Sequence, residues 1–79
     1  MTIVQVFWVD GVQSSYTFDN KRVAFAFLDE IRAFDDHELG NGNIVCSADL
    51  RLAPRARAVA RRLGATYIVV RNVVKAGPP

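Results

Sequence analysis

The sequence predicts a mixed α+β fold: one domain, a four-stranded mixed sheet and two helices in the order β-β-α-β-α-β. Three observations carry that prediction. Two runs rich in β-branched and aromatic residues, Thr2–Val9 and Val12–Phe18, flank an Asp10-Gly11 pair. Two stretches, 20–36 and 54–63, repeat apolar residues at helical spacing. Two further apolar runs, Asn43–Ser47 and Ala65–Val74, each follow a glycine.

Asp-Gly between two strand-like runs signals a hairpin, because a two-residue type I′ turn needs positive φ at both central positions. That turn sets Val9 opposite Val12, Phe7 opposite Ser14 and Ile3 opposite Phe18, and this face, with Tyr16, is expected to meet the core. The opposite face then carries Val4, Val6 and Trp8 across from Thr17, Ser15 and Gln13. With both helices on one side, Trp8 would stand on an open sheet face as an anchor for a partner. The first strand is apolar on both faces and reads as central; the second is polar on one face and reads as an edge.

Asp19 or Asn20 can cap the first helix. Val23, Phe27, Ile31 and Phe34, flanked by Ala24 and Leu28, form its apolar stripe, so it is expected to run from about Asn20 to Asp36 or Leu39, with Gly40 as its C-terminal cap. Asp35, Asp36 and Glu38 sit badly at that end, where the helix dipole favours cations. Gly40-Asn41-Gly42 is a loop, followed by the third strand at 43–47. Pro54 belongs in a first turn, so the second helix is expected over Pro54–Leu63, led by a turn at 49–53 and closed by Gly64. The last strand covers 65–74; residues 1–75 form the domain and 76–79 a tail.

A chain of 79 residues, 51% hydrophobic and 23% charged, has the balance of a globular domain and sits near the lower limit for one core. Such a core leaves roughly 3–5 kcal/mol of net stability, which a homodimer would raise; monomer and homodimer both remain open. A single cysteine, Cys46, cannot form an internal disulfide and fits a reducing compartment. No apolar run approaches the ~20 residues of a membrane span, and the first residues carry no basic, cleavable leader pattern. A cytoplasmic protein of a bacterial host, without membrane association, is the expectation.

The charge is divided along the chain. All eight acids precede Leu50, where only Lys21, Arg22 and Arg32 oppose them. From Leu50 onward Arg51, Arg55, Arg57, Arg61, Arg62, Arg71 and Lys75 meet no acid, and the formal net charge is +2. On a helical wheel Leu52, Ala56, Val59 and Leu63, with Ala53 and Ala60, form the buried side of the second helix. Arg51, Arg55, Arg57, Arg61 and Arg62 form its solvent side. A solvated polar face is one explanation, though such faces usually mix signs for i,i+4 support. The other is a site for phosphates or carboxylates, which the guanidinium fork binds bidentately. Nucleic acid bound that way would be salt-sensitive and sequence-tolerant, but the helix has no aromatic residue for stacking bases.

Asp35, Asp36, His37 and Glu38 are metal-ligand types, but nothing elsewhere supplies a second histidine or acid cluster, so no metal is expected. A solvated helix end or an acidic contact surface for a basic partner fits Asp35, Asp36 and Glu38 better. Gly40-Asn41-Gly42 precedes a strand, whereas a phosphate loop opens a helix. Cys46 and Ser14 or Ser15 have no visible base, so neither a catalytic site nor a cofactor is expected.

The Asp10-Gly11 hairpin, the acidic run Asp29–Glu38 and the arginine face Arg51–Arg62 give the chain the size and style of small phage or mobile-element inhibitors, and in these respects it resembles the anti-CRISPR proteins. The resemblance implies a non-catalytic inhibitor that binds a CRISPR surveillance complex through charged patches and blocks access of target DNA. The residues themselves predict a binding protein using Arg51, Arg55, Arg57, Arg61, Arg62, Trp8, Asp35, Asp36 and Glu38; the alternative is a small nucleic-acid-binding protein using the arginine face.

Overall fold

The computed structural model describes residues 1–9 and 11–70. Asp10, the end of the expected last strand at 71–74 and the expected tail at 76–79 lie outside the described residues. The elements are β1 (Thr2–Trp8), β2 (Gln13–Phe18), α1 (Lys21–Ile31), β3 (Phe34–Glu38), β4 (Ile44–Ala48), a 3-10 turn (Leu50–Leu52), α2 (Ala53–Arg62) and β5 (Thr66–Val70). The mixed α+β class and the two helices agree with the sequence. The sheet has five strands where four were expected, in the order β3-β4-β1-β2-β5. β1 is parallel to β4, and the other neighbours are antiparallel. After β1 the chain runs β-α-β-β-α-β, two interleaved crossovers with β1 inserted at the centre of the sheet. β1 is central as expected; β2 is not an edge, because β5 pairs along its outer side.

The added strand comes from the segment expected to finish the first helix. Asn20 caps α1 by accepting from the Val23 amide at 3.0 Å, as expected. The helix ends at Ile31, where Arg32 takes a left-handed conformation (φ 54) and the Ala33 amide returns to the Leu28 carbonyl at 3.1 Å. The correction has a physical cause: continued helix would stack Asp35, Asp36 and Glu38 against the negative end of the dipole. As a strand, 34–38 satisfies its backbone on the outer edge of β4. A register irregularity between Phe34 and His37, with Asp35 at φ 54, interrupts the ladder. Gly40 lies in the β3–β4 turn and not at a helix cap.

The hairpin registers decide which side chains face the core. The Trp8 amide donates to the Val12 carbonyl at 2.8 Å, and the Gly11 amide to the Trp8 carbonyl at 2.9 Å. The turn therefore holds three residues, 9–11, with Gly11 at φ +96 in its last position. The β3–β4 turn repeats the pattern: Leu39 pairs with Asn43, and Gly42 sits at φ +86. One residue more than the expected two-residue turn shifts the pairing, so Val4 faces Tyr16 and Val6 faces Ser14. A one-residue slip turns every side chain of a strand to the other face. Val4, Val6 and Trp8 are therefore core residues, and Ile3, Gln5 and Phe7 take the other side.

The core lies between that inner face and the two helices, which pack against each other. β1, β2 and β4 contribute Val4, Val6, Trp8, Tyr16, Phe18, Ile44 and Cys46; α1 contributes Ala24, Phe27, Leu28 and Ile31; α2 contributes Ala56, Val59 and Ala60. Tyr16 is the hub, with its ring centroid 4.7 Å from Phe27 and 4.8 Å from Tyr67. The Trp8 indole Nε1–H donates to Ser14 Oγ at 2.8 Å, which pairs two buried polar atoms.

Candidate functional site

Two surfaces and one cleft carry the chemistry. The first surface is the solvent side of α2. Its inner side is as the wheel predicts, with Ala56, Val59 and Ala60 buried and Leu52, Ala53 and Leu63 partly so. Arg51, Arg55, Arg57, Arg61 and Arg62 all point outward. They do not form an unopposed basic patch. Asp49 caps the turn before α2 by accepting from the Arg51 amide at 2.9 Å. Its carboxylate is also gripped by the Arg51 fork, at 2.7 Å from Nη2. These hydrogen bonds from Arg51 lower the Asp49 pKa from 3.8 to about 2. Glu30, on α1, takes two more: Arg62 donates to its Oε2, and Arg55 Nε donates to its backbone carbonyl at 3.2 Å with a guanidinium nitrogen 4.0 Å from Oε1. Arg57 lies over the Tyr67 ring, 5.0 Å from the centroid, and donates to its hydroxyl at 3.2 Å. Among the described residues Arg61 alone of the five makes no side-chain hydrogen bond, ion pair or aromatic contact.

Glu30 is thus the brake on this surface. Glu30→Gln is expected to change stability by no more than about 1 kcal/mol, because its pairs are exposed. It should lengthen retention on a heparin column and steepen the salt dependence of elution, since Arg55 and Arg62 would lose their carboxylate. Unchanged retention would mean that Glu30 does not hold these arginines in solution.

The acidic residues are not at a helix end. Asp35, Asp36 and Glu38 lie along β3, all exposed, and Glu38 is bound by Lys21 Nζ at 2.5 Å. β3 is an edge strand, and charges on an edge discourage pairing with a foreign strand. His37 shares it and is likewise exposed. Among the described residues no group of three or more His, Cys, Asp or Glu side chains stands close enough to hold a metal ion. Nor is any helix among them long and apolar enough to cross a membrane.

The second surface is the outer face of the sheet. Both helices cover the inner face, and nothing among the described residues covers the outer one. The registers place its side chains in rows: Phe34, Ser47, Phe7, Gln13 and Val70 across the five strands, then His37, Val45, Gln5, Ser15 and Ile68. Ile3, Thr17 and Thr66 follow. Phe34, Ile68 and Val70 are 45%, 55% and 40% exposed, large values for such side chains. No carboxylate, ammonium or guanidinium lies in these rows, and His37 is their only titratable group. Trp8, expected here, is on the opposite side at 3% exposure.

The cleft, of about 720 Å³, opens beside the start of α2. Arg32, Phe34, Arg51 and Arg55 line it together with Glu30 and Asp49. The carboxylates already engage Arg51 and Arg55, so its electrostatics are largely balanced from within. Cys46 lies in the core, where burial, with Asp36 adding to it, pushes its thiol up to about 12. The unfolded thiol ionises near 9.0, so Cys46 costs no stability below pH 9 and increasingly destabilises the fold as the pH rises from there toward 12. Burial raises the Tyr16 hydroxyl pKa in the same sense. Iodoacetamide at pH 8 is expected to leave native Cys46 unlabelled and to label it on addition of urea; rapid labelling without urea would contradict its burial.

The sequence identifies the arginines and the acids, but it assembles neither Glu30 with Arg55 and Arg62 nor Phe7 with Phe34 and Ile68. Comparison of the chain with family models, curated proteins and solved structures finds no match to any of them.

Proposed function

We propose that the protein is a non-catalytic binding protein that docks a protein partner on the outer face of its sheet. The observation that carries this reading is a five-stranded face that nothing among the described residues covers, apolar at Ile3, Phe7, Phe34, Val45, Ile68 and Val70 and without a carboxylate, ammonium or guanidinium in its described rows. The described rows of that face offer a nucleic acid no lysine or arginine to neutralise its phosphates, whereas a protein partner presenting apolar and hydroxyl groups would lose little on desolvation. Phe7 and Phe34 are the natural anchors, because aromatic side chains dominate binding hot spots. The resemblance to anti-CRISPR proteins supplies one candidate partner, a CRISPR surveillance complex, bound by an inhibitor of this kind.

The arginine face supports nucleic-acid binding less, because Asp49 and Glu30 neutralise part of it. The test is affinity capture from source-cell lysate with three proteins: the parent chain, Phe7→Thr/Phe34→Thr and Arg57→Glu/Arg61→Glu. Threonine keeps strand propensity while removing the apolar anchors. A protein retained by the parent and the arginine variant but lost by the phenylalanine variant supports the proposal. Loss with the arginine variant alone, with a salt-sensitive mobility shift of nucleic acid, overturns it.

A further inference from the structure

The two edges of the sheet differ. β3 carries Asp35, Asp36, His37 and Glu38 and is broken by an irregularity with Asp35 at φ 54. These are the devices by which edge strands avoid pairing with other chains. β5 has none of them. Its sequence, Thr66-Tyr67-Ile68-Val69-Val70, has no charge, proline or glycine. Ile68, Val69 and Val70 are exposed, and among the described residues nothing pairs with its outer side. We propose that two copies of the chain join through the outer edges of β5, antiparallel about a two-fold axis at Ile68, so that the two sheets become one.

The occupant is a second copy because the pairing is self-complementary. With the axis at Ile68, Ile68 faces Ile68 of the second copy, Tyr67 faces Val69 and Thr66 faces Val70. Each pair is apolar or hydroxyl-bearing, β-branched or aromatic, the combination that stabilises cross-strand neighbours. The same operation on β3 would set Asp36 against Asp36. A two-fold axis perpendicular to the sheet gives a closed, isologous dimer. It also keeps all four helices on one side and merges the two outer faces into a single face with Ile68 and Val70 at its centre. The inference stands on the edge and is independent of whether a further protein docks on the face.

Sedimentation of the full chain over a concentration series tests it, with hydrogen exchange of the β5 amides. The expected result is a dimer in which all five β5 amides are slow; in a monomer, alternate amides of an edge strand point to solvent. Ile68→Lys places like charges opposite each other and should leave only monomer. Ile68→Asp alone should do the same, and mixing the two variants should restore a heterodimer. Ile68 is largely exposed, so the fold should survive these changes. A parent chain that is monomeric throughout, a dimer indifferent to Ile68→Lys, or a mixture that stays monomeric would each overturn the proposal.

Discussion

Trp8→Ala is expected to leave the domain unfolded, or nearly so, at room temperature. The indole is 3% exposed and contributes to the only core the described residues form. Truncating a buried tryptophan to alanine costs roughly 3–5 kcal/mol. The substitution also removes the 2.8 Å hydrogen bond from the indole to Ser14 Oγ, on a residue 2% exposed, and losing a buried hydrogen bond costs about 0.5–1.5 kcal/mol more. Domains of this size hold only roughly 3–5 kcal/mol in total. Far-UV circular dichroism and urea titration check the outcome. Trp8→Phe should be folded but weaker, because it keeps much of the apolar area and loses only the donor. A Trp8→Ala protein as stable as the parent would mean that Trp8 stands on the outer face after all.

Phe27→Ala should have the next largest effect. Phe27 is fully buried, with its ring centroid 4.7 Å from Tyr16 and 4.9 Å from Phe18, so it joins α1 to β2. A loss of roughly 3–5 kcal/mol is expected. Phe25, two residues earlier on the same helix, is 38% exposed, and Phe25→Ala should stay within about 0.5 kcal/mol. Urea midpoints for the two variants read the orientation of α1 directly, and equal losses would contradict it.

The helices were largely legible because their evidence is local. The Asn20 cap, the spacing of Phe27 and Ile31, Pro54 in the first turn of α2 and Gly64 after it each act within one or two turns. β3 was not legible. Phe34-Asp35-Asp36-His37-Glu38 has neither strand propensity nor alternation, and it becomes a strand because β4 offers an open edge. The β1–β2 register failed for a different reason. β2 alternates and correctly assigns Tyr16 and Phe18 to the core, but β1 is apolar on both faces, so the turn alone fixes its phase. Both hairpin turns end a three-residue loop in glycine, and a reading that places Gly11 in the last position of such a loop recovers the observed pairing. That one residue moves Trp8 into the core and brings Phe7 to the surface.

The charge division follows the same logic. The arginine side of α2 could be read from the wheel, whereas its neutralisation by Glu30 joins residues 25 and 32 positions apart. Local pattern carries no trace of such a contact. Part of the apparent polarity of the chain is therefore an internal balance between α1 and α2, while the acids on β3 remain on a separate edge.

The most direct test of docking on the outer sheet face is a blocking label. Cys46 is buried and inert, so a single introduced cysteine can carry a bulky maleimide. Ser15→Cys puts it in the middle of the outer face, between Gln5 and Ile68, and Arg61→Cys puts it on the helix side. Partner capture should be lost when the label sits at position 15 and retained when it sits at position 61. Capture retained with the label at 15 and lost with it at 61 would contradict the account.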